Sequence, residues 1–241
     1  MARLILLLAM LALPGVSAAA GAEGAVQHVD VDVGNQAALQ RGAKYFVNYC
    51  LGCHSLKYVR YNRVGEDLGL SEKQLIESLM FTGERPFDTM SIAMEPQDAE
   101  RWFGIAPPDL SLTARSRGPD WIYSFLRSFY VDPSRPTGTN NTVLENASMP
   151  HVLWELQGVQ EAVYRRDGDA RIFDHFELVR PGALAPEEFE RTVRDITTFL
   201  AWAGEPMRLE RERLGIKVLL FLVVFFVFAW LYYKEVWKNV K

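Results

Sequence analysis

The chain is poor in cysteine and shows no repetition. Its 241 residues include two cysteines, Cys50 and Cys53, separated by two residues. A zinc ribbon needs a second pair of Cys or His ligands to complete its tetrahedron, and no second cysteine pair exists. We also find no internal repeat and no low-complexity linker. The sequence therefore argues against a zinc ribbon and gives no reason to divide its main part into several domains.

The two cysteines and the histidine after them form the pattern Cys-x-x-Cys-His at residues 50–54. This spacing is typical of covalent c-type haem attachment. Each thiol forms a thioether with a haem vinyl group, and His54 supplies the proximal nitrogen ligand to iron. The alternative is a thioredoxin-like redox pair, which should follow a strand, whereas residues 37–49 have helical spacing. We therefore predict one covalently bound haem c, attached at Cys50 and Cys53.

The N-terminus has the features of a secretory signal peptide at residues 1–18. Arg3 precedes an apolar run at residues 4–13, and Ala18 ends a stretch of small residues suited to cleavage. The run is too short to cross a hydrocarbon core of about 30 Å. We therefore expect export, which places residues 19–207 in the periplasm.

The C-terminal region, residues 208–241, resembles a membrane anchor. Residues 214–233 are apolar except for Lys217, and at about 1.5 Å per residue this segment is long enough to cross a bilayer. Aromatic residues and then lysines follow, and basic residues favour the cytoplasmic face. We predict a single-pass membrane protein with a short cytoplasmic tail. The flanking residues are Trp230, Tyr232, Tyr233, Trp237, Lys234, Lys238 and Lys241.

The net charge of −4 conceals an uneven distribution. Residues 19–207 hold 27 acidic and 18 basic residues, a net charge of −9, whereas residues 208–241 hold 7 basic and 3 acidic residues, a net charge of +4. An acidic exported domain is suited to steering a basic partner, although the charge also serves solubility. We expect no nucleic-acid partner.

Periodicity and capping signals predict a mainly α protein. The predicted helices cover residues 37–49, 71–81, 119–130 and 186–203. Residues 170–179 are the single predicted strand, as one arm of a small hairpin. We predict long loops at residues 85–108 and 140–150, which would wrap around the haem.

A low-spin electron carrier needs a sixth iron ligand, commonly Met or His. Met149 is favoured because Pro150 holds its predecessor extended, which lets a loop side chain point inward. Spacing alone leaves Met94 and His151 open as alternatives. The full set of candidates is Met80, Met90, Met94, Met149, Met207, His28, His151 and His175.

Four segments together resemble the bacterial members of the cytochrome c1 family, the haem subunits of ubiquinol:cytochrome c oxidoreductase (the cytochrome bc1 complex). The resemblance covers nearly all of the chain after the signal peptide. It implies a class I cytochrome c-like haem domain with one C-terminal transmembrane helix. The segments are residues 50–55 with Tyr58, Val59 and Tyr61; residues 106–111 with Arg115 and Arg117; residues 148–150; and residues 198–206.

The resemblance also implies roles for individual residues. Met149 becomes the sixth ligand, and a backbone carbonyl at Pro107 or Pro108 accepts the Nδ1 proton of His54. The two prolines also suit a stiff turn before a helix capped by Asp109.

A haem propionate would pair with Arg115 or Arg117, although either arginine would serve equally as a solvated surface residue. Some family members carry an additional cysteine pair that braces the loop near the Met ligand. This chain has none, so we expect packing alone to hold the loop. Mitochondrial members also bear a long acidic insertion, which is not present here as a contiguous block.

The function implied by the resemblance is electron transfer from a Rieske iron–sulfur protein to a soluble periplasmic cytochrome c. Cytochrome b would contact the anchor, and the complex would be dimeric. The protein would lie in a bacterial inner membrane, with its haem domain in the periplasm. No catalytic residue is expected, because the chain carries electrons without transforming a substrate. The rival interpretations are another membrane-anchored monohaem cytochrome and an exported thiol oxidoreductase.

Overall fold

The computed structural model describes residues 26–168 and 170–239. The predicted signal peptide at residues 1–18 lies outside this range. The described helices are α1 (Gln36–Tyr49), α2 (Tyr61–Leu68), α3 (Glu72–Ser78), α4 (Pro96–Phe103), α5 (Thr113–Ser116), α6 (Pro119–Arg127), α7 (Trp154–Gln157), α8 (Pro186–Gly204) and α9 (Arg208–Val236). The predicted mainly α fold class is confirmed.

Six strands form three separate antiparallel pairs within the described part of the chain. The longest pair is a hairpin whose register runs from Gly158↔Pro181 to Asp167↔Ala170. It confirms the predicted hairpin arm at residues 170–179 and supplies the bounds of the other arm, which the sequence had left open. The strands are β1 (Leu56–Arg60), β2 (Thr89–Met90), β3 (Phe129–Val131), β4 (Thr139–Asn141), β5 (Gly158–Asp167) and β6 (Ala170–Pro181).

Helices α1 and α8 cross at the centre of the domain. Gly42 permits the approach, since a Cβ atom there would lie 2.1 Å from the Asp195 carbonyl oxygen. One turn later the rings of Phe46 and Phe199 are 5.5 Å apart, and both side chains are fully buried. Arg41 closes the crossing with two hydrogen bonds to the buried Asp195 carboxylate. This packing fixes the C-terminal end of α1, where Cys50 lies.

Several predicted boundaries need correction. The helix predicted at 71–81 ends at Ser78, although its Ser71–Gln74 capping box is present. The helix predicted at 119–130 ends at Arg127, because the chain becomes extended and pairs with β4. The predicted loop 85–108 contains β2 and α4, and the predicted loop 140–150 begins inside β4.

Helix α9 contains 29 residues, none of them buried, and spans about 43 Å at about 1.5 Å per residue. It is the single helix within residues 26–168 and 170–239 that is long and apolar enough to cross a membrane. The predicted single transmembrane helix is confirmed, and it begins earlier than the apolar segment 214–233.

Candidate haem site

A tight turn at the end of α1 carries the Cys-x-x-Cys-His pattern. The Cys50 N–H donates to the Phe46 carbonyl at 2.9 Å and so continues the helical bonding. The N–H groups of Cys53 and His54 then both donate to the Cys50 carbonyl, at 3.0 and 2.8 Å. The turn therefore presents both thiols and the imidazole from one rigid helix end, and neither cysteine is in a disulfide.

The imidazole of His54 is oriented by the main chain. Its Nδ1 lies 2.7 Å from the carbonyl oxygen of Pro108. A carbonyl only accepts hydrogen bonds, so Nδ1 carries the proton and the Nε2 lone pair remains free for a metal. Burial lowers the pKa of His54, which favours the neutral imidazole that metal binding requires.

The segment that supplies this carbonyl is fastened directly to the residues that follow His54. Asp109 Oδ2 accepts the N–H of Lys57 at 2.8 Å, and the Leu110 N–H donates to the Ser55 carbonyl at 2.9 Å. The expectation that Asp109 caps a helix is wrong, since α5 begins only at Thr113 and its N-cap residue is Leu112. Asp109 instead holds the proline segment beside the haem-binding motif.

Met149 lies in the same cavity as the cysteines and His54. The cavity is mainly apolar, as expected for a site that buries a large aromatic ring. Of the eight candidates for a sixth ligand, all within the described part of the chain, Met149 alone lines this cavity. The lining residues are Tyr49, Cys50, Cys53, His54, Phe103, Ile105, Pro107, Pro108, Ser148, Met149, Pro150 and Val152.

The other methionine and histidine candidates have different surroundings. Met80 and Met90 are buried in the hydrophobic core, and Met207 is exposed beside α9. Met94 is half-buried in the connection between β2 and α4. His28 and His175 each contact an aspartate near the surface.

His151 follows Met149 by two residues but turns into the core. It is 8% exposed, and its ring stacks on Phe129 with centroids 5.3 Å apart. Burial lowers the pKa of His151 to about 4, so the ring is neutral at pH 7. Its contacts indicate packing rather than iron ligation.

Neither Arg115 nor Arg117 lines the cavity. Both are exposed, and the Arg117 guanidinium lies over the Trp121 ring at 5.2 Å from its centroid. The Arg115 side chain lies beside Gly204 at the end of α8. A contact of either arginine with a haem propionate stays a prediction.

The electrostatics of the thiols disfavour the thiol oxidoreductase alternative. Burial raises the pKa of Cys50 to about 12, and it also raises the pKa of Cys53. Redox-active cysteines have a lowered pKa, because the thiolate is the reactive form. The described residues also contain no cluster of three or more His, Cys, Asp or Glu side chains able to hold a metal ion alone.

The donor set therefore fits a c-type haem. Two unpaired thiols, an imidazole with a fixed tautomer and a thioether line one apolar cavity. Comparison with known proteins agrees, since the model of the Cytochrome C1 family matches residues 27–240. The chain belongs to the cytochrome c1 family. The resemblance stated from the sequence is confirmed.

Proteins similar to this one cover most or all of the chain. A cytochrome c1 of Allochromatium vinosum is 49% identical over 100% of both chains. A protein of Nitrosomonas europaea named ammonia monooxygenase gamma subunit is 41% identical over 98% of this chain and 97% of its own. A cytochrome c1 of Rhodospirillum rubrum is 29% identical over 86% of this chain and 83% of its own. As a cytochrome c1 family member, the chain is an electron-transfer haem c protein and a component of an oxidoreductase complex.

Sequence reasoning missed part of this cytochrome c1 cavity. Phe103 and Ile105 come from the end of α4, in a segment that we predicted to be a loop. The signals for α4 were present, since Pro96 suits the first helical turn and Gly104 adopts φ +77° as a C-terminal cap. Tyr49 and Val152 also line the cavity, and no motif marked them.

Proposed function

We propose that the chain carries single electrons from a Rieske iron–sulfur protein to a soluble periplasmic cytochrome c, as the haem subunit of a bc1 complex. The observation that carries this proposal is the common cavity of Cys50, Cys53, His54 and Met149. Accepting an electron from one protein and passing it to another requires a bound redox group and no substrate site. A cavity lined mainly by apolar side chains suits a haem as that group.

Each of these residues has a distinct task in the proposal. Cys50 and Cys53 would form thioethers, and His54 would bind iron through Nε2 while the Pro108 carbonyl holds its other nitrogen. Met149 would supply the second protein ligand, and a thioether ligand raises the reduction potential relative to a second imidazole. The haem would supply reversible one-electron chemistry. With two protein ligands on the iron, oxygen and peroxide would find no open site.

The membrane arrangement follows from the same proposal. Residues 1–18 are removed on export, residues 19–207 form the periplasmic haem domain, and residues 208–241 form the anchor with its cytoplasmic end. Helix α9 exposes apolar side chains over residues 214–233, which suits packing against cytochrome b and lipid. We further propose one haem per chain and a dimeric complex.

The test is purification from membranes in a mild detergent. We expect cytochrome b and a Rieske protein to accompany the chain, and we expect haem to stay on its band in a denaturing gel. A haem band without either partner would contradict the bc1 assignment while leaving the haem site intact. Reaction of Cys50 and Cys53 with a thiol reagent in the mature protein would contradict the haem site itself.

A second assignment has one observation in its favour. The Nitrosomonas europaea relative, named as a monooxygenase subunit, is 41% identical over nearly the full length of both chains. The same purification separates the two, because a monooxygenase partner set would replace cytochrome b and the Rieske protein.

A further inference from the structure

The loop that carries Met149 is held by hydrogen bonds as well as by packing. The expectation that packing alone holds it is therefore wrong. Three asparagines, Asn140, Asn141 and Asn146, bind the chain from β4 to the residues just before Met149. We call these three residues the asparagine network.

Asn140 connects three parts of the loop. Its Oδ1 accepts the N–H of Asn141 at 2.9 Å and the N–H of Asn146 at 2.8 Å. Its Nδ2 donates to Asp132 Oδ2 at 3.0 Å, and the residue is only 4% exposed. The amide oxygen and the amide nitrogen thus both have partners, and the Asn146 bond closes the loop six residues further on.

Asn141 fastens the same loop to the helical core. Its Oδ1 accepts the N–H groups of Val143 and Leu144, at 2.9 and 3.1 Å. Its Nδ2 donates to the Phe125 carbonyl at 2.8 Å, and the residue is 1% exposed. Together the side chains of the first two asparagines accept hydrogen bonds from four main-chain N–H groups of the loop and the end of β4.

Asn146 lies three residues before Met149. Its φ of 62° makes it the one non-glycine residue with positive φ among the described residues, and asparagine tolerates this conformation better than most side chains. Arg135 holds both its side-chain oxygen, at 2.9 Å, and its carbonyl oxygen, at 3.2 Å. The backbone direction toward Met149 is thus set at a residue bound from two sides.

We propose that Asn140 and Arg135 are positioning residues for the sixth iron ligand. The inference rests on the proposed function, because it takes Met149 as that ligand. A methionine thioether is a neutral and weak ligand, so the fraction bound depends on how firmly its loop is placed. The asparagine network does this work in a chain without a second cysteine pair.

The test compares Asn140→Ala and Arg135→Met with the unchanged protein in the purified, haem-loaded complex. Asn140→Ala leaves buried N–H groups without an acceptor, so we expect it to raise about tenfold the fraction of molecules in which Met149 has left the iron. Arg135→Met should raise this fraction less, because Arg135 is half-buried. The readouts are carbon monoxide binding by the reduced protein, the methionine–iron absorption band and the midpoint potential, which should fall.

Two further variants separate positioning from general destabilisation. Asn35→Ala removes the N-cap bond to Ala38, at the opposite end of α1 from Cys50, and should leave all three readouts unchanged. The double change Asp132→Asn with Asn140→Asp reverses the donor and acceptor of the bond between these two side chains, and an oxygen at position 140 can still accept both main-chain N–H groups. Its readouts should therefore lie closer to those of the unchanged protein than the readouts of Asn140→Ala do.

The outcomes are distinguishable from failure of the proposed function. If Met149→Leu leaves the spectrum unchanged, Met149 is not the ligand and the proposed haem site is wrong. If Met149→Leu opens the iron to carbon monoxide while Arg135→Met and Asn140→Ala do not, the positioning role is wrong. Should Asn140→Ala fail to fold, Arg135→Met and the double variant decide the question.

Discussion

At the scale of single residues, Met149 differs from the other methionines in what lies around it. It is half-buried, faces the cavity with Cys50 and His54, and is followed by Pro150, which keeps it extended. Met94 is also half-buried, but it lies between β2 and α4 and does not line the cavity. The two residues therefore make a matched pair for testing ligation.

We predict that Met149→Leu converts the haem to a high-spin form or lowers its potential sharply, because leucine keeps the volume but offers no sulfur. Met94→Leu should change neither. The absorption spectrum and a potentiometric titration of the purified complex measure both effects. Equal effects from the two substitutions would contradict the assignment.

How far the sequence could reach differs among the site residues. The spacing of Cys50, Cys53 and His54 predicted their chemistry, since neighbouring residues of a short motif stay together in any fold. The choice of Met149 as a ligand needed the family resemblance, because which distant residue comes close to His54 depends on the path of the folded chain. The role of Asn140 was beyond prediction, since its partners are main-chain groups whose positions depend on the loop path.

At the scale of elements, the crossing of α1 and α8 determines where the haem-binding turn lies. Gly42 brings the two backbones together, and the rings of Phe46 and Phe199 pack directly beside this contact. Cys50 follows at the end of the same helix, so any displacement of α1 moves the thiols and His54 together.

We predict that Gly42→Ala destabilises the haem domain by about 3 kcal/mol, because overpacking forces two rigid helices apart. The new Cβ would lie 2.1 Å from a backbone oxygen, which no side-chain rotation can relieve. Gly52→Ala is the matched control, since nothing lies within 4 Å of a Cβ there. Denaturant unfolding of both variants measures the difference, and equal stabilities would refute the prediction.

The elements that the sequence predicted are those with strong periodicity. Helices α1 and α8 were found because each buries one continuous face over at least three turns. Helices α2 and α4 were missed although Gly69 and Gly104 mark their ends, because no side chain caps their first turn. The shorter α3 was predicted from its Ser71–Gln74 capping box. Strand β5 was predicted only as the unspecified second arm of a hairpin, and the structure gives its bounds as Gly158–Asp167.

At the scale of the whole molecule, charge and membrane attachment are separated along the chain. Residues 19–207 carry a net charge of −9, and residues 208–241 carry +4. The buried core consists of residues before α9, so the anchor contributes no buried side chain to the domain. The acidic part can therefore act as a steering surface independently of the anchor.

We predict that the rate of electron transfer to a basic cytochrome c falls as salt rises, because screening shortens the Debye length to roughly 8 Å at physiological ionic strength. Stopped-flow oxidation over a salt series measures this. An acidic cytochrome c is the control and should show no such fall. A salt-independent rate with the basic partner would favour apolar docking, for which Ile105 at the cavity is 59% exposed.

The carbonyl that orients His54 belongs to the main chain, so a substitution at position 108 cannot remove it. A substitution there replaces the Pro108 side chain but leaves a carbonyl oxygen at this position. Losing the bond requires moving the whole segment, which Asp109 and Leu110 fasten to Lys57 and Ser55. A substitution at position 108 therefore changes the cavity wall and the backbone stiffness but keeps the hydrogen-bond acceptor, whereas loss of the Asp109 carboxylate weakens the attachment that places this acceptor.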